Sequence, residues 1–328
     1  MKKEFLPAAL LFAVILAVSL ALTVNGADGA GEGKAAYCPV GMQAVIASAQ
    51  GDVYDMSGAE SYESPAFNYL VTYTVEGDDI SDPQYDDVPG DLHDEQADAG
   101  LQLNAWRIFT DLIPAPERAM VAEYRPFTDG FENTLAAVDQ TESDLTQWTL
   151  DIDIADQQDP ASLLFTLIHE YAHILTLNDS QVTPDREVYE NWDDPVLLKE
   201  KAAACPTYFT GTGCSHADSY INAFYLRFWA DVEPEWSVID EMQYADDLLP
   251  YYDALYRFYK THPGRFIDDY AVTHPAEDIA ESFTYFVFAP RPNGVTLKEQ
   301  KINFFYGYPE LVQLRGQILN GACESVLK

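Results

Sequence analysis

Two histidines four residues apart, His169 and His173, with Glu170 directly after the first, have types and spacing that could do chemistry. On a helix, positions i and i+4 share a face, so both imidazoles can reach one metal ion. Glu170 lies beside that face. A Zn²⁺ held there lowers the pKa of water toward ~7, and a neighbouring carboxylate can take the proton as the water attacks a carbonyl. The segment uses two of the six histidines in the chain. If the pair served structure alone, the charged Glu170 would be stranded in an apolar helix without a partner.

A catalytic zinc needs a third protein ligand and an open fourth position. One candidate is Asp179, six residues after His173, where the metzincin pattern has its third ligand. Thr176 stands where that pattern has a turn-making Gly, and a β-branched residue resists positive φ. The other candidate lies in Tyr270-Ala-Val-Thr-His274-Pro275-Ala-Glu277-Asp-Ile-Ala280-Glu281. His274 or Thr273 can cap a helix there, Pro275 suits its first turn, and acidic residues cluster at its start as the helix dipole prefers. Glu277 and Glu281 then share a face one turn apart.

With His169-Glu-Tyr-Ala-His173, this stretch resembles the gluzincin metallopeptidases, and most closely the group that includes the protease domain of anthrax lethal factor. In that pattern a Tyr stands seven residues before a zinc-binding Glu, which is followed by two residues, an Ala and a second Glu. Tyr270, Glu277, Ala280 and Glu281 match it position for position. The resemblance implies Glu277 as the third zinc ligand and Tyr270 as the phenol that stabilises the oxyanion. It also implies Glu281 as the carboxylate that holds one zinc-bound imidazole by its other nitrogen. It covers these two motifs and a rough order of elements over residues 95–290. His173 and Glu277 are 104 positions apart, more than twice the expected spacing, so neither substrate preference nor any toxin role carries over. The extra chain is expected to form helices around the cleft.

The elements that would position these groups can be read in outline. Asp159-Pro160 offers an N-cap and a first helical position, opening an apolar helix through Leu177 that is buried on most sides. Trp148–Ile154 alternates as a strand with one buried and one Asp-lined or wet face, and is the expected edge strand for a substrate. Residues 68–75, 120–124 and 134–138 read as further strands, 76–98 as a solvated loop, and 100–113 as an amphipathic helix. From 185 on, the chain is mostly helical and aromatic, and its aromatic repeats at 220–229 and 251–259 read as core. The expectation is one α+β, zincin-like metallopeptidase domain over residues 66–328. It has a small mixed sheet packed on a buried active-site helix and a mostly helical C-terminal half.

Residues 1–26 read as a signal peptide, or as a membrane anchor if uncleaved, since the apolar run is about twenty residues long. Residues 27–65 read as a weakly structured lead-in. An extracytoplasmic location permits disulfides, and the four cysteines suggest Cys205 with Cys214 and Cys38 with Cys323, although three pairings exist. With 54 acidic and 18 basic residues the net charge is −36, which excludes nucleic acid and anionic lipid surfaces as partners, beyond an N-terminal anchor. The expected partner is a polypeptide and the expected cofactor Zn²⁺, in a secreted metalloendopeptidase. The rival is a non-catalytic zinc-binding or cell-surface module that retains the fold.

Overall fold

The computed structural model describes residues 39–48, 67–130, 134–245 and 247–326, so the expected signal segment lies outside the described residues. In chain order the elements begin with α1 (Pro39–Ser48), β1 (Asn68–Tyr69), β2 (Val71–Glu76), β3 (Asp79–Tyr85), α2 (His93–Ala97) and α3 (Ala99–Leu112). Next come β4 (Val121–Thr128), β5 (Ala136–Gln140), β6 (Trp148–Asp153) and α4 (Pro160–Leu177). The long insert holds β7 (Val182–Pro184), α5 (Arg186–Glu190), α6 (Pro195–Ala204), β8 (Gly213–Ser215), α7 (Tyr220–Phe228), α8 (Glu233–Asp240) and α9 (Leu249–Thr261). The chain closes with α10 (Pro275–Phe288), α11 (Leu297–Phe304) and α12 (Pro309–Gly321).

The main sheet runs β3-β2-β4-β6-β5, with β1 also on β4. Only β4 and β6 are parallel, so the sheet is small and mixed, in an α+β arrangement as expected. α3 starts where the Asp98 side chain accepts the Leu101 N–H at 3.0 Å, and it buries Ala105, Trp106, Phe109 and Leu112. Tyr124 of β4 donates its hydroxyl to the Gln102 carbonyl at 2.9 Å and Tyr73 of β2 donates to Gln102 Oε1 at 2.6 Å, locking this helix to the sheet.

Three expectations about the strands change. Residues 79–85, read as solvated loop, form an edge strand paired with β2. Its side chains are almost all exposed, so no alternation of apolar residues marks it. β6 is buried along its whole length, its aspartates included, and has no wet face. It is not an edge either: β4 and β5 flank it, and among the described residues the sheet ends at β5, beside α4. Buried Asp151 survives there because Arg125 Nε and Nη2 donate to its two oxygens at 2.8 and 2.7 Å. Asp153 accepts the backbone N–H groups of Asp129 and Ala155.

The insert packs as helices against α10 and carries the two-stranded β7–β8 ribbon. The Cys205–Cys214 disulfide closes this region. Cys323 is also disulfide-bonded, and the partner expected for it, Cys38, lies outside the described residues. The aromatic repeats are core: Phe224, Phe228, Trp229, Tyr251 and Phe258 are all buried. Within the segment read as lead-in, α1 packs on both α4 and α10, burying Met42 and Val45.

α10 is buried almost throughout and carries acidic side chains into that interior. Asp278, fully buried, accepts from the Lys301 ammonium of α11 and from Trp229 Nε1 at 2.7 Å. The ammonium also lies 4.2 Å from the centre of the Phe266 ring. Removing one member leaves an uncompensated buried charge, which costs far more than the pair contributes. Lys301→Met is expected to lower unfolding free energy by about 3–5 kcal/mol, read from urea denaturation.

Candidate metal centre

Asp159 caps α4, its Oδ1 accepting the Ser162 N–H at 3.2 Å, with Pro160 at the first helical position. Leu163, Leu164, Leu167, Ile168, Tyr171 and Ala172 bury most of the helix surface. Thr166, Glu170, His173 and Leu177 form a partly buried stripe at the 3–4 residue spacing of a single face, and Ala161, Phe165 and Leu175 are partly buried on another. The first stripe carries Glu170 and His173 of the candidate metal group. His169, buried, turns between it and α10. One ligand atom each of His169, Glu170 and His173 lies within 4.8 Å of the others, so the group could hold a metal ion.

α10 begins one residue after His274, whose Nδ1 accepts the Ala276 N–H at 3.1 Å. The capping role considered for His274 is therefore the one it has. Its Nε2 lies 3.4 Å from the Tyr208 hydroxyl, and burial lowers its pKa to about 4, so the ring is neutral. From this start α10 delivers Glu277 to the histidines. Glu277 Oε2 is 3.0 Å from His169 Nε2 and 3.2 Å from His173 Nε2, and the two Nε2 atoms are 3.1 Å apart. One turn later, Glu281 Oε1 accepts from His169 Nδ1 at 2.8 Å. That bond places the proton on Nδ1 and leaves the Nε2 lone pair facing His173 and Glu277.

Tyr270 also reaches the cluster, its ring centre 5.6 Å from that of His169. Asp179 does not. It is exposed in the turn after α4 and makes no ion pair with either histidine among the described residues. His216 and His262 bond elsewhere, to Ser180 and Thr183 and to Phe258 respectively.

Burial pushes Glu170 up to about 7, the charges of His173 and His169 opposing it and those of Glu277 and Asp151 adding to it. A carboxylate in that range is matched to taking and returning a proton near neutrality. Beside it on β5, Asp139 is raised to about 7 by burial and then by Asp151, with Arg125 opposing and Glu170 adding. Nothing in the sequence marked Asp139, Arg125 or Tyr208 as neighbours of the site. The pairing of β4, β6 and β5 brings Arg125, Asp151 and Asp139 together, and the disulfide-closed insert brings Tyr208.

Comparison with protein-family models, curated proteins and solved structures gives no match for this chain.

Asp139, Asp153, Asp156 and Asp240 are all raised, chiefly by burial, to about 7, 8, 7 and 7. In an unfolded chain an Asp titrates near ~3.9. Between pH ~4 and ~8 the folded chain therefore holds protons that the unfolded chain has lost, and stability rises as pH falls through that window. In chelator, the melting temperature is expected to be higher at pH 5.5 than at pH 8.5. Asp139→Asn is expected to raise it at pH 8.5 and to leave it nearly unchanged at pH 4, as read by calorimetry.

Proposed function

We propose that this chain is a zinc-dependent peptidase with a zincin-like fold of the gluzincin type, in which His169, His173 and Glu277 hold the metal. The observation that carries this reading is the triangle of His169 Nε2, His173 Nε2 and Glu277 Oε2, with sides of 3.0, 3.1 and 3.2 Å. Three ligands of a tetrahedral ion at 2.0–2.1 Å stand about 3.3 Å apart, so one ion placed just outside this triangle meets all three. Two imidazoles and one carboxylate are a donor set suited to zinc.

Zinc bound there supplies Lewis acidity to a substrate carbonyl and acidifies water. Glu170 accepts the proton of the attacking water and passes it to the leaving nitrogen. Tyr270 donates its phenolic proton to the oxygen on which negative charge develops. Glu281 acts through His169, fixing its tautomer and ring orientation. The protein is read as secreted. The Cys205–Cys214 disulfide is compatible with an extracellular location. Among the described residues no helix is long and apolar enough to cross a membrane.

Metal analysis by mass spectrometry and a hydrolysis assay on unfolded protein test the reading together. The expected result is one zinc per chain in the wild type and in Glu170→Gln, with binding much weakened in Glu277→Ala. Glu281→Gln is expected to weaken it by about 10–100-fold. Glu170→Gln is expected to retain zinc and lose hydrolysis by about 10²–10⁴-fold. Full zinc in Glu277→Ala would move the third ligand elsewhere, and zinc without hydrolysis at any pH would leave a non-catalytic module.

A further inference from the structure

The carboxylate that completes the metal cluster sits where a helix is weakest. Glu277 is the third residue of α10, in the turn whose backbone N–H groups have no partner within the helix. Residues 262–274, which lead into it, form neither helix nor strand. The place of Glu277 over His169 and His173 therefore depends on what holds the helix start. Pro275 has no N–H to satisfy, His274 Nδ1 accepts the Ala276 N–H at 3.1 Å, and the His274 carbonyl accepts the Asp278 N–H at 3.0 Å. One residue thus carries the cap, and it stands three positions before Glu277 on the same side of the helix start.

The insert, in turn, holds the His274 ring. Because Nδ1 accepts, the proton of the neutral ring is on Nε2, which donates to the Tyr208 hydroxyl at 3.4 Å. Trp236 of α8 packs against the same ring, with centres 5.7 Å apart, and donates Nε1–H to the Val272 carbonyl at 2.9 Å. Tyr208 itself has little freedom. It lies inside the loop closed by Cys205–Cys214, its N–H goes to Asn222 Oδ1 at 3.2 Å, and its carbonyl accepts the Ser215 N–H at 2.9 Å. Its ring stacks on that of Tyr225, with centres 4.1 Å apart. Asn222 and Tyr225 both belong to α7, which packs on α10.

Resting on the zinc reading, we propose that Tyr208 is a positioning residue of the metal centre. The disulfide-closed loop holds its hydroxyl against His274, and this fixes the cap and with it the height of Glu277 over the two histidines. The insert is then a splint for the third ligand. Glu281 steadies the cluster through His169, and Tyr208 steadies it through the helix start that carries Glu277. Opening the loop has the same consequence as removing the hydroxyl, since either lets the His274 ring turn and the first turn of α10 fray.

The test measures zinc affinity of the full chain by competition with a chromogenic chelator, and the melting temperature of each variant in excess EDTA. Tyr208→Phe, which keeps the ring on Tyr225, is expected to bind zinc about 3–10-fold more weakly, the effect of losing one hydrogen bond. His274→Asn keeps a capping side chain and loses the bond to Tyr208, and is expected to bind zinc at least as weakly. Tyr208→Phe is expected to add nothing in that background. Joint Cys205→Ser and Cys214→Ser replacement is expected to match Tyr208→Phe. In EDTA, hydrogen exchange read by mass spectrometry is expected to quicken at the first turn of α10 in these variants and to stay unchanged in the rest of that helix. A tie that served folding alone would lower the melting temperature and leave Tyr208→Phe and His274→Asn with wild-type affinity, which would overturn this inference and leave the zinc reading standing. Equal weakening by Tyr208→Phe in the wild-type and His274→Asn backgrounds would also overturn it, because the effect would not pass through the cap. A wild type that binds no zinc after reconstitution would overturn both.

Discussion

His169 is gripped from both sides by one helix. Glu277 meets its Nε2 at 3.0 Å and Glu281 its Nδ1 at 2.8 Å, and the two carboxylates stand one turn apart on α10. This double contact constrains the rotation and height of α10 against α4, because carboxylates placed at both ring nitrogens of one imidazole tolerate little sliding. It also forces carboxylates into a helix that is otherwise apolar and enclosed, a costly arrangement unless every charge is answered. Lys301 and Trp229 answer Asp278, and the imidazoles answer Glu277 and Glu281. The aromatic helices of the insert supply the shell in which those answers stay dry.

Legibility in the sequence followed the range of the interaction. Asp159-Pro160 and His274-Pro275 announced the starts of α4 and α10 because caps and first-turn prolines act within three residues. The i, i+4 pairs His169/His173 and Glu277/Glu281 were visible for the same reason. That Glu277 rather than Asp179 meets the histidines follows from tertiary packing, and local patterning could not express it. β3 escaped notice because an exposed edge strand owes its conformation to its neighbour's hydrogen bonds and not to its own apolar pattern. β6 misled in the opposite direction. Its alternating aspartates suggested a wet face, but Arg125 on the parallel neighbour neutralises Asp151 where solvent would otherwise be needed.

The acidity of the chain reaches inward as well as outward. Besides the solvated aspartates that give the net charge of −36, several carboxyls sit in places where ionisation is disfavoured by burial and by one another. They lie on the sheet and in the loop leading to α4, next to the elements that carry Glu170 and the histidines. The protein thus keeps carboxyls whose ionisation burial disfavours on the elements next to its candidate metal centre, where Arg125 pairs with Asp151 at 2.7 Å and lies 4.0 Å from Asp139.

The two halves of the cluster arise far apart in the chain: His169 and Glu277 are separated by 108 positions, with the whole insert between them. Contacts of such long range form late, since the intervening loop must be closed before they give any return. The site therefore cannot assemble on a nascent or partly folded chain, where α4 would expose two histidines and no carboxylate partner from α10. An ion captured at that stage would be held weakly and released. On the proposed reading, tight metal binding would be a property of the finished molecule only, because the histidines of α4 and the carboxylates of α10 meet only once the chain between them is in place.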